Sequence, residues 1–140
     1  MPRRRTFSAL TLAAVAIVAQ PAIAGALSPR KRVIGKWRSD RERTLRQWTF
    51  LPDASPDTRA RIESWFGEFT YLFTDRSARG EYPGGSWEAR YRVRDETTNA
   101  LTIELLHADR PESLTLYFDE PFFFVRSGRS NFEYFRRVAA

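Results

Sequence analysis

Residues 87–94 read WEARYRVR. Trp87, Ala89, Tyr91 and Val93 alternate without interruption with Glu88, Arg90, Arg92 and Arg94. A period of two puts one set of side chains on a dry face and the other on a wet face, so this stretch predicts a strand in a one-sided antiparallel sheet. Outward from it, further strands are predicted over residues 33–39, 44–51, 68–75, 101–107, 113–119, 122–127 and 131–138. Turns fall at Pro83-Gly84-Gly85, Thr97-Thr98-Asn99, Asp109-Arg110-Pro111, Asp119-Glu120-Pro121 and Ser127-Gly128-Arg129-Ser130, all rich in residues that start or tighten a turn. Short strands recurring every ~8–12 residues, with no connection long enough for a parallel crossover, predict a mainly β, up-and-down antiparallel meander closing into a barrel or sandwich.

Residues 55–67 (SPDTRARIESWFG) break that rhythm. Ser55 suits a helix N-cap, Pro56 the first helical position and Gly67 the left-handed residue after the end, which predicts one short helix between the early strands. Thr58, Ile62, Trp65 and Phe66 share a stripe at helical spacing, expected to lie against the sheet as a barrel cover or as a lid over a ligand cavity. Strand alternation directs Phe69, Tyr71, Phe73, Trp87, Tyr91, Leu101, Ile103, Leu105, Leu114, Leu116 and Phe118 to one face. These rings and branched chains either fill the barrel or line a pocket, since eight strands enclose a space just wide enough for either. In Phe122-Phe123-Phe124 at least one ring must face outward. Packing under the helix is its default cover; a second chain or a membrane surface are the alternatives.

The N-terminus carries a separate signal. Arg3, Arg4 and Arg5 precede an uncharged, mostly apolar stretch over residues 7–19, and Ala22-Ile23-Ala24 presents small residues in the pattern a signal peptidase reads. Thirteen residues fall short of the ~20 needed to span the hydrocarbon core, and Gln20 and Pro21 end the stretch. The expected organisation is a signal peptide over residues 1–24, a short flexible solvated tail over 25–32 and one domain over 33–140, with no transmembrane segment after cleavage. Export across a bacterial inner membrane follows, and with no cysteine to acylate, the destination is periplasmic or secreted rather than lipoprotein. Loss of the three leader arginines lowers the formal charge from +6 to +3. Arginine outnumbers lysine 21 to 2, but acidic residues are interleaved with the arginines, so the chain is not a polycation.

Gly35-Lys36-Trp37 at the start of the first predicted strand, Trp37-Arg38-Ser39-Asp40 after it, and Glu133-Tyr134-Phe135-Arg136-Arg137-Val138 at the end resemble lipocalins, and more closely the small bacterial lipocalin-like (calycin-type) envelope proteins. The resemblance covers residues 33–138. It implies a small closed barrel and a structural role for Trp37, with an arginine of the last strand, Arg136 or Arg137, stacked on the indole to close the barrel base. The helix after the first strands resembles the lid of intracellular fatty-acid-binding proteins instead, and the domain is short for a full lipocalin.

Signs of catalysis are few. Without cysteine, thiol nucleophiles, disulfides and thiolate zinc are excluded. His107 continues the Leu101, Ile103, Leu105 alternation to a strand end, where a structural histidine is the expectation. Asp95-Glu96 and Asp119-Glu120 are solvated turn acids, and no serine elbow or phosphate loop is present. The reading is therefore a non-enzymatic protein with no cofactor and no metal. Its first function class is binding of a small hydrophobic or amphipathic ligand, with Trp65, Phe66, Phe73, Tyr91 and Ile103 as cavity residues; an interior filled by side chains would count against a deep cavity. The second is an envelope interaction module in which Arg90, Arg92 and Arg94 meet an acidic partner protein or anionic surface. Nucleic-acid binding, the third, is set aside because the leader exports the chain. Ligand identity and oligomeric state are open at this level.

Overall fold

The computed structural model describes residues 27–139. Its elements run α1 (Pro29–Arg32), β1 (Gly35–Ser39), α2 (Arg41–Gln47), α3 (Pro56–Trp65), β2 (Thr70–Phe73), β3 (Ser77–Tyr82), β4 (Gly85–Glu96), β5 (Ala100–Leu106), β6 (Pro111–Asp119), β7 (Phe122–Ser127) and β8 (Asn131–Arg137). Each strand pairs antiparallel with the next, and β8 returns to β1, so the meander is a closed eight-stranded barrel. A sheet closed in this way has no free edge, which removes the usual aggregation liability of an antiparallel sheet. β4, the strand of WEARYRVR, is the longest, and its inward residues Ala89 and Tyr91 are buried while Glu88, Arg90, Arg92 and Arg94 are exposed.

The centre of the barrel is filled. Trp37, Phe73, Phe123, Phe135, Leu101, Ile103 and Leu116 are all essentially inaccessible, and their rings meet edge-on or offset, as at Trp37–Phe123 (4.7 Å) and Phe123–Phe135 (5.1 Å), the arrangements that aromatic quadrupoles favour. The open question between a filled interior and a lined pocket is thus resolved toward filling at mid-barrel.

One end is sealed by the chain that enters it. Residues 29–32, expected as part of a solvated tail, instead form the single turn α1, with Pro29 and the following Val33 buried. Arg32 lies 4.9 Å over the Phe118 ring and hydrogen-bonds Glu120 and the Thr98 carbonyl. Trp37 donates its indole N–H to the Val33 carbonyl at 2.8 Å, so its polar handle is satisfied inside the core. Between the two candidate arginines the structure selects Arg137: its guanidinium sits 4.4 Å from the Trp37 ring and donates to the Ile34 and Arg32 carbonyls. Arg136 has the opposite strand parity and lies outside the barrel against Phe122.

Three further departures from the sequence reading follow. Residues 44–51 are not a strand; Asp40 caps the backbone N–H of Arg43, and the good helix formers that follow make α2, whose buried Thr44 receives the Tyr134 backbone N–H. Residues 77–82 do form a strand, which alternation did not mark. Helix α3 forms as expected, with Ser55 accepting from the Thr58 N–H, but its stripe does not face the sheet. None of its residues is buried, and Trp65 is 61% exposed. Only Phe66, beyond its end, is buried, against Trp48 at 4.7 Å. In the Phe122-Phe123-Phe124 run, Phe123 enters the core, while Phe124 stacks on Tyr117 outside and Phe122 and Tyr134 lie near α2 and Arg43.

If the Arg137–Trp37 contact holds the sealed end, Arg137→Ala should lower unfolding free energy by about 2 kcal/mol, combining a solvent-exposed cation–aromatic contact with lost charge-assisted hydrogen bonds. Arg136→Ala should cost less than about 0.5 kcal/mol. Urea denaturation of the two variants separates these values, and equal losses would contradict the assignment.

Candidate functional site at the open barrel mouth

At the end opposite α1, strand alternation carries a different set of residues inward. Counting back from the buried Phe118 and Leu116 on β6, the same parity reaches Leu114 and then Glu112. On β8 it runs from Phe135 to Glu133, and past the end of β5 from Leu105 to His107. Phe69, Tyr71, Trp87, Leu105, His107, Glu112 and Leu114 line a solvent-open groove of about 370 Å³. Phe69 also belongs to a second groove of about 370 Å³, with Trp65, Phe66, Glu68, Tyr82 and Glu133 along its wall.

The aromatic wall is built by close approaches. Phe69 meets Tyr71 edge-on at 4.6 Å and stacks on Tyr82 at 6.3 Å, and Trp87 stands edge-on to Tyr71 at 6.2 Å and to His107 at 5.5 Å. Gly80, paired with Trp87 in the β3–β4 register, makes room for the indole: a Cβ there would lie 2.4 Å from it and 2.8 Å from the Phe69 ring. The hairpin Pro83-Gly84 then turns Tyr82 toward the same rim.

The polar groups of the mouth are acidic. Glu133 accepts a hydrogen bond from the Ser39 hydroxyl at 2.6 Å, and that hydroxyl in turn accepts the Gly67 N–H at 2.9 Å. Burial pushes the Glu133 carboxyl above its ordinary value, and the Ser39 hydrogen bond only partly offsets it. His107 lies 3.3 Å from Glu112. Tyr71 is nine-tenths buried, and its hydroxyl has no hydrogen-bond partner among the described residues. Burial pushes its phenol well above the ordinary range, and the charges of Glu133 and Glu112 push it further, so the hydroxyl stays protonated.

The residues expected to line one cavity are dispersed. Trp65 and Phe66 border the second mouth groove, Phe73 and Ile103 are locked in the packed core, and Tyr91 opens on a hollow at the sealed end with Arg30, Lys31 and Asp75. Tyr91 gives its hydroxyl to the Thr74 carbonyl at 2.6 Å. The arginine row divides as well. Arg92 and Arg94 both bind Glu104 on the neighbouring strand, with the Arg92 contact at 2.7 Å. Desolvation opposes ionisation of Glu104, but the two guanidiniums outweigh it and hold the carboxyl below its ordinary range. Arg90 alone projects with no such contact to an acidic side chain of the described residues.

Glu112, Glu133 and Gly80 are mouth residues that sequence reasoning did not place, whereas Phe69 and Tyr71 it put on the inward face as core or pocket lining. For Glu112 and Glu133 a signal existed: each shares the parity of a buried run, Leu114–Leu116–Phe118 or Phe135, so each is an inward acid near a strand end. Among the described residues no His, Asp and Glu cluster suits a metal ion, and no helix is long and apolar enough to cross a membrane. Comparisons with protein-family models, curated proteins and solved structures return no match for this chain.

Burial of the Glu133 carboxyl works against its ionisation. Its folded pKa is raised, so the folded state binds a proton more tightly than the unfolded chain, and the charged form subtracts stability at pH values above that pKa. Glu133→Gln keeps an acceptor for Ser39 and removes the charge. The variant should melt a few degrees higher than wild type at pH 7, and the gain should vanish as pH falls through the raised Glu133 pKa, which lies above the ordinary 4.5. Thermal melts across that window test the sign; a lower melting temperature at pH 7 would contradict it.

Proposed function

We propose that this chain is an exported, non-enzymatic binding protein that takes the apolar part of a small amphipathic molecule into the open mouth of its barrel. The observation that carries this reading is the contrast between the two ends. α1 and Arg137 close one end and the centre is packed solid, whereas at the other end Phe69, Trp87 and Leu114 remain partly exposed around a groove. Concave sites walled by apolar rings with a few polar groups are the usual form of small-molecule sites. The lipocalin-like closing contact and the barrel are compatible with this reading, with the ligand at the mouth instead of in a deep calyx. Export rests on residues 1–24, which lie outside the described residues.

The scaffold reading draws less support. Its arginine row is largely answered from within, because Glu104 engages Arg92 and Arg94, while Arg90 meets no acidic side chain among the described residues.

Titration with N-phenyl-1-naphthylamine, an uncharged fluorescent amphipath, tests the mouth. Saturable binding of one probe per chain is expected, weakened about tenfold by Trp87→Ala, which strips one wall of the groove. Absence of saturable binding, or binding indifferent to Trp87→Ala, would contradict the proposal. Export has its own check. Expression with the natural leader in a Gram-negative host should yield periplasmic protein beginning at Gly25, and a product retaining Met1 would remove export from the account.

A further inference from the structure

From the charge lining of the mouth we infer that the ligand is an organic cation, an ammonium group carried on an apolar body. This inference rests on the mouth-binding reading and adds the sign of the ligand's charge. Of 23 basic residues in the chain, no lysine or arginine lines either mouth groove, whose charged or titratable groups are Glu68, Glu112, Glu133 and His107. Three other hollows each hold at least one: Arg110 in the hollow that shares His107 and Glu112 with the mouth, Arg30 and Lys31 at the sealed end, and Arg32 beside α1. Excluding guanidinium groups from one concave surface of an arginine-rich chain leaves a negative potential there, focused by the apolar walls.

Two further features suit a cation site. Phe69, Tyr71 and Trp87 line one groove and Phe69 and Tyr82 the other, and aromatic faces attract ammonium groups through the ring quadrupole. Tyr71, a largely buried residue, lines the same groove as Glu112. A protonated phenol there adds an oxygen lone pair to the surface that faces the cation. A carboxylate or sulfate headgroup would face Glu112 in one groove or Glu133 in the other with no lysine or arginine lining either, and like-charge juxtaposition is unfavourable. Just outside the rim, Asp109 and Arg110 oppose each other in sign beside Glu112 and leave the interior balance negative.

The test uses the full chain and three probes sharing one decyl tail: decyltrimethylammonium, decanol and decanoate, each titrated calorimetrically below its aggregation limit at pH 7. The expected order is ammonium tightest, alcohol next and carboxylate weakest, with at least about a tenfold gap between ammonium and carboxylate. In Glu112→Gln/Glu133→Gln the ratio of ammonium to alcohol affinity should collapse toward one. Melting temperature confirms that this variant is folded, and the wild-type order stands independently of it. Decanoate binding as tightly as the ammonium would overturn the inference while leaving the mouth as a binding site. Binding of none of the three would overturn the mouth reading and the inference with it. An ammonium preference unchanged in the double variant would overturn the assignment to these two carboxyls.

Discussion

The structure depends on how its last strand meets its first. Register pairs Trp37 with Arg137 and Ser39 with Phe135 across the β1–β8 seam, and on the inside of that seam Arg137 covers the Trp37 indole while binding the carbonyls of the chain just before β1. One guanidinium thereby ties together the closing strand pair, the α1 turn and the core. It can stay charged there because it lies at the barrel end, with part of its surface in water and its donors on carbonyl oxygens, which avoids the desolvation that a fully buried cation would suffer. Open the seam, and two strand edges and the Trp37 pocket are exposed together.

Closing one end determines what the rest of the molecule can offer. Large rings pack from Trp37 through Phe123, Phe135 and Phe73, and interiors of this kind reach crystal-like density with few voids. The packing relaxes only near the mouth, where Gly80 replaces a side chain, Trp87 occupies the vacated space, and polar residues replace apolar ones at inward positions. A short barrel with bulky residues at mid-height thus becomes a cup with a floor at Tyr71 and Leu105 instead of a through-cavity. The carboxylates on that cup's wall are the inward positions where sequence departs from what a core alone would need.

Much of the fold was legible because its strands alternate. Residues 122–127 and the β4 stretch appear where the pattern puts them, and the order of strands follows from turns and short connections. The failures have physical reasons. β3 reads SARGEY, and its inward residues are the small Ala78 and Gly80, since Trp87 fills the room above Gly80; a strand whose partner supplies the bulk has no hydrophobic period of its own. Residues 44–51 end in Trp48 and Phe50, which imitate a strand, yet those rings pack on Phe66 and Arg59 of the connecting segment, and the deciding signal was the Asp40 cap. The α3 stripe was real as a pattern but had no sheet to meet. Arg136 and Arg137 differ only in parity, which Phe135 fixes once it is known to face inward. The mouth itself was hidden because alternation was followed through apolar residues and stopped at the acids that continue it.

The central claim is that binding happens at one end of a barrel whose middle is closed. Backbone amide shifts recorded by NMR during titration with decyltrimethylammonium address it directly. The account predicts changes centred on Tyr71, Gly80, Trp87, Leu105 and His107, with Leu101, Val93 and Val33 at the sealed end unmoved. Changes that instead run through Ile103 and Leu101 to the sealed end, or cluster around Arg30 and Tyr91, would contradict it.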